Sequence, residues 1–384
     1  MPELRPVPSF TIAVMIRAIS LRICMSLFLT ACTIKVAPSA PTPSSPIQVP
    51  SPTLEPTATA VPTAAIVALP VFEAIDAATQ VEQMKRGMNF GNALEAPSEG
   101  EWGITIQDSD IVQIRHAGFS NIRVPTRWSA HALSTSPYTV EHAFLERLGH
   151  VASVGLSQGL IVIINMQHYE EFFADYDGHR VRFVEMWRQI ADYFKAYPAG
   201  LVFELLNEPH DALAAGPWNT TLADALTAIR KTNPTRNIVI GGVEYNSIHA
   251  LDLLKLPDDP HLIVTFHYYS PMSFTHQGAE WMAGSDQWLG TDWEGSSHDK
   301  GSMDFDLDVA AQWGKAHKRP IWMGEFGAYN KADLQARARW TSYLARAAEH
   351  RGFAWSYWEY ASGFGAFNRS TSAWIPELLQ ALQP

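Results

Sequence analysis

The chain has 384 residues, 47% of them apolar, and a formal net charge of −11. That is enough for one large α/β domain, and with its Lys and Arg scattered among more numerous acids it excludes a nucleic-acid surface. Its two cysteines, Cys24 and Cys32, both fall within the first 32 residues, so the folded part has neither a disulfide nor a thiolate metal site.

Residues 1–32 read as a targeting segment. Arg17 and Arg22 precede the apolar stretch Ile23 to Ala31, and Leu29-Thr30-Ala31-Cys32 is a small-residue cleavage pattern that leaves a cysteine first in the mature chain. This resembles a bacterial lipoprotein signal, with Cys32 as the lipid attachment site. The apolar run is too short to span a bilayer as a helix. The expected location is therefore the extracellular cell surface, with the membrane reached only through the lipid; an ordinary cleaved secretory signal is the alternative. Residues 33–72 are Pro, Ser, Thr, Ala and Val with almost no charge, and Pro38, Pro41, Pro43, Pro46, Pro50, Pro52, Pro56 and Pro62 favour extended polyproline II over helix or sheet. They read as a spacer.

Residues 73–384 alternate short apolar runs with longer amphipathic ones. Strands are predicted at Gly87 to Asn92, Asn121 to Pro125, Leu160 to Met166, Leu201 to Leu206, Asn237 to Gly242, Leu262 to Tyr268, Pro320 to Gly324 and Phe353 to Tyr357. Between them apolar residues return every three or four positions, as in Phe144, Leu148, Val151 and Leu156, or Phe183, Met186, Trp187, Ile190 and Phe194. This alternation predicts a (β/α)8 TIM barrel forming a single domain. An open doubly wound sheet is the alternative, but Asn89-Phe90-Gly91-Asn92 lacks the spacing of a phosphate loop. The long gap from Tyr269 to Arg319 carries Trp281, Trp288 and Trp293 and is expected to wall the reactive rim.

Two apolar runs end in carboxylates. Leu201-Val202-Phe203-Glu204-Leu205-Leu206-Asn207-Glu208-Pro209 closes on a proline that cannot continue a ladder, which puts Glu208 at a strand tip. Pro320-Ile321-Trp322-Met323-Gly324-Glu325-Phe326-Gly327 repeats the pattern. The other strand ends deliver Asn92 and Glu95, Arg123, Gln167 and His168, Glu244, His267 and Tyr269, and Trp358 with Glu359; a barrel gathers these ends into one bowl. Two carboxylates across a bowl are what glycoside hydrolysis requires. If the second, sixth and seventh strands aim inward, Arg123 and Tyr269 keep Glu325 ionised as the nucleophile. Glu208, beside Asn207, is then the acid and base.

The motifs Arg123-Val124-Pro125, Asn207-Glu208-Pro209, His267-Tyr268-Tyr269 and Gly324-Glu325-Phe326-Gly327, in this order, resemble glycoside hydrolase family 5. Arg86 to Pro97, Phe274 to Trp281 and Trp355-Ser356-Tyr357-Trp358-Glu359 are similar to its subfamily 25, endoglucanases that often also cut mannan. The resemblance covers Val81 to Leu382. It implies a retaining endo-β-1,4-glycanase acting on β-glucan or β-mannan, with no cofactor and no metal; a monomer is expected. In that scheme Glu325 forms the glycosyl-enzyme, and Arg123, His168, Asn207, His267 and Tyr269 orient the reacting groups. Trp358 floors the reacting subsite, while Asn92, Glu95, His276 and Trp281 contact the sugars beyond it. Two positions depart from the pattern: Gln167 stands where the family usually has His, and Tyr245 where the subfamily often has Trp.

Two other functions compete. His168, His210, His267 and His276 near the rim would suit a metal-dependent barrel hydrolase, although the first strand offers Asn89 and Asn92 in place of the usual ligand pair. A non-catalytic glycan-binding barrel is the other, suggested by Gln167.

Overall fold

The computed structural model describes residues 74–384; the signal segment 1–32 with Cys32, the spacer 33–72 and residue 73 lie outside them. Eight parallel strands form a closed barrel in chain order. They are β1 Arg86–Asn89, β2 Asn121–Val124, β3 Ile161–Asn165, β4 Leu201–Glu204, β5 Ile238–Gly241, β6 Leu262–Tyr268, β7 Ile321–Phe326 and β8 Ala354–Tyr357. Closure is made by β1 pairing with β8, Gly87 opposite Ser356. All eight predicted strands are present, with shifted ends.

The shifts concern the carboxylates. β4 stops at Glu204, and Glu208 lies four residues past it instead of at its tip. The backbone changes neighbours there: Leu205 N–H still donates toward β5, to Val239 O at 3.1 Å, whereas Asn207 N–H turns to Met166 O beyond β3 at 2.8 Å. β7 runs on to Phe326, because a register shift after Phe266 brings His267 of β6 opposite Glu325. A bulge of this kind re-aims a side chain without breaking the sheet.

Nearly continuous apolar runs form these strands because both faces are buried. Outward residues such as Ile122, Val162, Phe203, Ile240, Phe266 and Trp355 pack under the surrounding helices. The helices His142–Ser157 and Tyr176–Tyr193 turn toward the barrel the apolar stripes predicted for them. Inward, the lower layer is apolar. The helix Ala77–Met84 closes the bottom of the barrel with Ala77, Val81 and Met84 against Ile163, Val202, Val239, Ile263 and Trp322. Gly87 is required near this layer, since a Cβ there would lie 1.9 Å from Asn121 Oδ1.

The segment Tyr269 to Arg319 is only partly a rim wall. Its second half is the helix Ser297–His317, started by a reciprocal cap between Ser296 and Asp299. Trp293, expected on the wall, is 3% exposed and packs 6.1 Å from the Tyr343 ring. Trp281 remains on the rim, 61% exposed. Among the described residues no helix is long and apolar enough to cross a membrane.

Candidate active site

Above the apolar plug the barrel interior turns polar, and its centre is Arg123 on β2. This fully buried guanidinium donates Nε to Glu204 Oε2 at 2.5 Å, Nη2 to Glu204 Oε1 at 2.8 Å and to Asn207 Oδ1 at 2.8 Å, and Nη1 to Asn89 Oδ1 at 3.0 Å and Glu325 Oε1 at 2.5 Å. A planar fork with five donors is the group suited to such a junction. Asn89 is locked in turn, its amide donating to the carbonyls of Gly324 and Ser356, each at 3.1 Å.

Glu325 has both oxygens engaged, by Arg123 and by the Tyr269 hydroxyl at 2.8 Å. Burial pushes its carboxyl up, but the charges of His267 and Arg123 and the two hydrogen bonds outweigh that and hold it below its ordinary value. Burial, then the charges of Glu325 and Glu208, drives the Tyr269 hydroxyl well above its ordinary range, so it remains a donor. Glu208 is set differently. Its side chain is 25% exposed to the bowl, its φ is +48°, and Oε1 meets Nδ1 of His267 at 2.7 Å. His267 also lies 3.6 Å from Glu325 Oε2. Glu208, His267 and Glu325 bring one oxygen or nitrogen each within 4.8 Å of one another. A metal ion there would have to displace the hydrogen bonds just described, and Arg123 already supplies the positive charge, so we assign these groups no ligand role.

Around this pair the expected residues divide. Trp358 is half-buried, fixed by its N–H to Phe326 O at 2.8 Å, and squeezed between Gly91 and Gly327: a Cβ at Gly327 would lie 2.0 Å from Trp358 O. The Trp358–Glu359 peptide is cis. His276 stands edge-on to Tyr269 at 4.9 Å and to Trp281 at 6.3 Å, which joins these three into one aromatic wall on the Glu325 side. Burial pushes its imidazole down to about 4. His168 stands edge-on to Trp102 at 5.4 Å, with Nδ1 3.3 Å from Glu170. Asn92, half-buried, sits in a left-handed turn with φ +63°. Glu95 is not the exposed wall expected of it. Its carboxylate is buried and accepts the N–H groups of Asn92 and of Ala93, the latter at 2.8 Å, so it shapes the turn that carries Asn92. Gln167 is buried, its amide oxygen accepting from Asn165 Nδ2 at 2.8 Å. His210 stacks on Tyr245 at 4.4 Å and 14°.

This geometry agrees with the comparisons. The cellulase (glycosyl hydrolase family 5) pattern matches residues 80–363. The chain belongs to glycosyl hydrolase family 5. Endoglucanase H of Acetivibrio thermocellus is 37% identical over 316 residues, 81% of this chain. Endoglucanase B of Clostridium cellulovorans is 28% identical over 331 residues, covering 78% of this chain and 74% of that protein. The chain spans only 34% of Endoglucanase H and 40% of the cellulase/esterase CelE of the same organism. Structures of Thermotoga maritima Cel5A, solved with mannotriose and with cellobiose, superpose with TM-scores of 0.79 at 45% identity, covering 80% of this chain and 100% of that one.

Of the inward polar residues of this family 5 barrel, sequence reasoning does not single out Glu204 and Asn246, and it names Asn89 only against a metal site. Each faces inward from a strand or the turn after it, and each pairs with a site residue distant in sequence. The buried acids at the β1 and β8 ends have a consequence for stability. Burial pushes the Glu95 carboxyl up to about 7 and that of Glu359 up to about 8, against hydrogen bonds from neighbouring backbone N–H groups; the charge of Glu95 raises Glu359 further. The unfolded chain releases both protons near pH 4.3. The folded state therefore holds protons that the unfolded state has lost, and this contribution, complete below about pH 4, declines as pH rises through 7 and 8. His276 acts below about pH 6.5, where the unfolded imidazole gains its proton, whereas the raised His267 imidazole loses its contribution above that pH and adds to the same fall. The melting temperature is expected to fall between about pH 6.5 and 8.5, and Glu359→Gln should flatten that slope. A flat wild-type profile would contradict the assignment.

Proposed function

We propose that this chain is a retaining, endo-acting β-1,4-glycanase that cuts β-glucan, with β-mannan as a second substrate. The observation that carries this reading is the carboxylate pair, one oxygen of Glu208 lying within 4.8 Å of one oxygen of Glu325. Retaining glycosidases hold their carboxyl groups about 5–5.5 Å apart, and inverting ones need about 6.5–9.5 Å to admit a water. The asymmetry of the pair supports the roles. Glu325, held ionised by Arg123, Tyr269 and His267, attacks the anomeric carbon. Glu208, more exposed, protonates the leaving oxygen as the glycosidic bond breaks. It then takes a proton from the water that frees the sugar from Glu325. Asn207, its oxygen bound by Arg123, keeps its amide nitrogen for a sugar hydroxyl, and Trp358 supplies the floor. Cel5A of Thermotoga maritima, solved with both mannotriose and cellobiose, supports tolerance of either backbone.

Aromatic surface continues past both carboxylates. On the Glu208 side it runs from His210 to Tyr245, which is 55% exposed, and on the Glu325 side from Tyr269 through His276 to Trp281. A polysaccharide gripped on both sides of the cut is cleaved internally. The viscosity of a soluble β-1,4-glucan is expected to fall faster than reducing ends appear; a product pattern of disaccharide alone from the earliest times would overturn the endo assignment.

A further inference from the structure

Past β5 the chain takes an unusual path. Glu244, Tyr245 and Asn246 follow one another with φ of +55°, +61° and +57°, and none of them is glycine. L-residues adopt the left-handed region at a cost, and a run of three persists only where the surroundings enforce it. Here the turn sends two side chains to the two histidines that contact Glu208, His210 and His267. Tyr245 points out to stack on His210, with its N–H on Pro209 O at 3.3 Å. Asn246 points in, fully buried, and its amide lies 3.3 Å from Nε2 of His267. Gly241 makes the space, since a Cβ there would lie 1.9 Å from the Asn246 amide oxygen.

With its nitrogen toward His267, the Asn246 amide leaves Oδ1 buried and without a hydrogen-bond partner among the described residues. A half-turn of the amide exchanges donor and acceptor, so the end that faces Nε2 is decided by the imidazole proton. The other ring nitrogen faces two carboxylates, Glu208 at 2.7 Å and Glu325 at 3.6 Å. The cation opposing them, Arg123 on β2, is already bound by Glu204 and Glu325. Burial disfavours a charge on His267, but these two carboxylates outweigh it and raise the imidazole above its ordinary value.

We propose that Asn246 is a positioning residue whose amide oxygen accepts from Nε2–H of His267 and keeps that ring a cation between the two catalytic carboxylates. Resting on the glycosidase reading above, this gives His267 a use in both half-reactions. The reacting complex carries the negative charge on Glu325 and the acid proton on Glu208. As the Glu325–C1 bond forms and the C1–O bond breaks, the Glu208 proton goes to the leaving oxygen and the negative charge passes to Glu208, 2.7 Å from Nδ1–H. The second half-reaction returns it. One fixed cation thus faces whichever carboxylate is charged, which strengthens Glu208 as an acid.

The test has two arms. Nitrogen-15 NMR of the His267 ring, recorded without substrate, should show both nitrogens protonated in the wild type above the ordinary midpoint of about pH 6.5. Asn246→Leu should move that titration down by about one pH unit, and the nearly isosteric Asn246→Asp should move it up. In kinetics, Asn246→Leu should lose about tenfold in kcat/KM on unactivated cello-oligosaccharides and far less on aryl glycosides whose leaving group needs no proton, while Asn246→Asp should keep the wild-type ratio. A purely structural role would lower both substrates equally. The proposal is overturned by a neutral His267 in the wild type at pH 6, a measurement that needs no variant to fold, or by a titration unmoved in Asn246→Leu. Because the NMR arm reads no turnover, failure to cut any β-glycan would count against the glycosidase reading and leave this one to be judged separately.

Discussion

Glu325→Ala is expected to abolish hydrolysis, lowering kcat by at least about 10⁴-fold, the scale on which removing one member of a catalytic unit acts. Alanine removes the carboxylate placed to attack the anomeric carbon, while Arg123, Asn207, Glu208 and His267 keep their other contacts, so substrate should still bind. The space left beside Arg123 and Tyr269 admits a small anion. Azide added to the variant with an activated glycoside should restore part of the rate and give the α-glycosyl azide, because it attacks from the face Glu325 occupied. A variant with more than about a hundredth of wild-type activity would remove Glu325 from the role. A β-azide would exchange the roles of residues 325 and 208.

The second large effect is expected away from the sugar. Glu204 touches neither the proposed nucleophile nor the acid, yet it takes two of the five donors of Arg123 with both side chains fully buried. Glu204→Leu leaves a buried cation short of a partner, and breaking one side of such a pair costs about 3–5 kcal/mol. Activity should change as well. Arg123 would then act on Glu325 undivided, hold it ionised to lower pH, and shift the acid limb of kcat/KM downward. Glu204→Gln keeps one accepting oxygen for Arg123 but turns its amide N–H toward the other guanidinium N–H, so it should lose less stability than Glu204→Leu without matching the wild type. Urea unfolding of the three proteins measures the first effect; a Glu204→Leu loss of less than about 1 kcal/mol would mean that Arg123 does not depend on this partner.

These residues also show where sequence reasoning ended. The barrel was legible because eight apolar runs, separated by helices with clear 3.6-residue periods, admit few other arrangements. Glu325 and Glu208 were legible because each interrupts or closes such a run near glycine or proline. Glu204 was not, because it lies inside a run that otherwise reads as strand, and its partner on β2 is 81 residues away. Asn246 was hidden for a different reason: it reaches His267 only through a left-handed turn, which three consecutive residues other than glycine do not announce. The sequence places Glu95 and Trp293 on the rim because strand ends and long loops tend to be exposed. Glu95 is buried by the turn it caps, and Trp293 by the ring of Tyr343.

Double displacement needs two carboxylates close enough for direct attack, and the configuration of the first product reports that distance. Proton NMR of a soluble cello-oligosaccharide, followed from the first turnovers and faster than mutarotation, distinguishes the two outcomes. With one oxygen of Glu208 within 4.8 Å of one of Glu325, the new reducing end should appear as the β anomer and only later equilibrate. An α anomer appearing first would mean that water attacks in place of Glu325, and would contradict the double displacement.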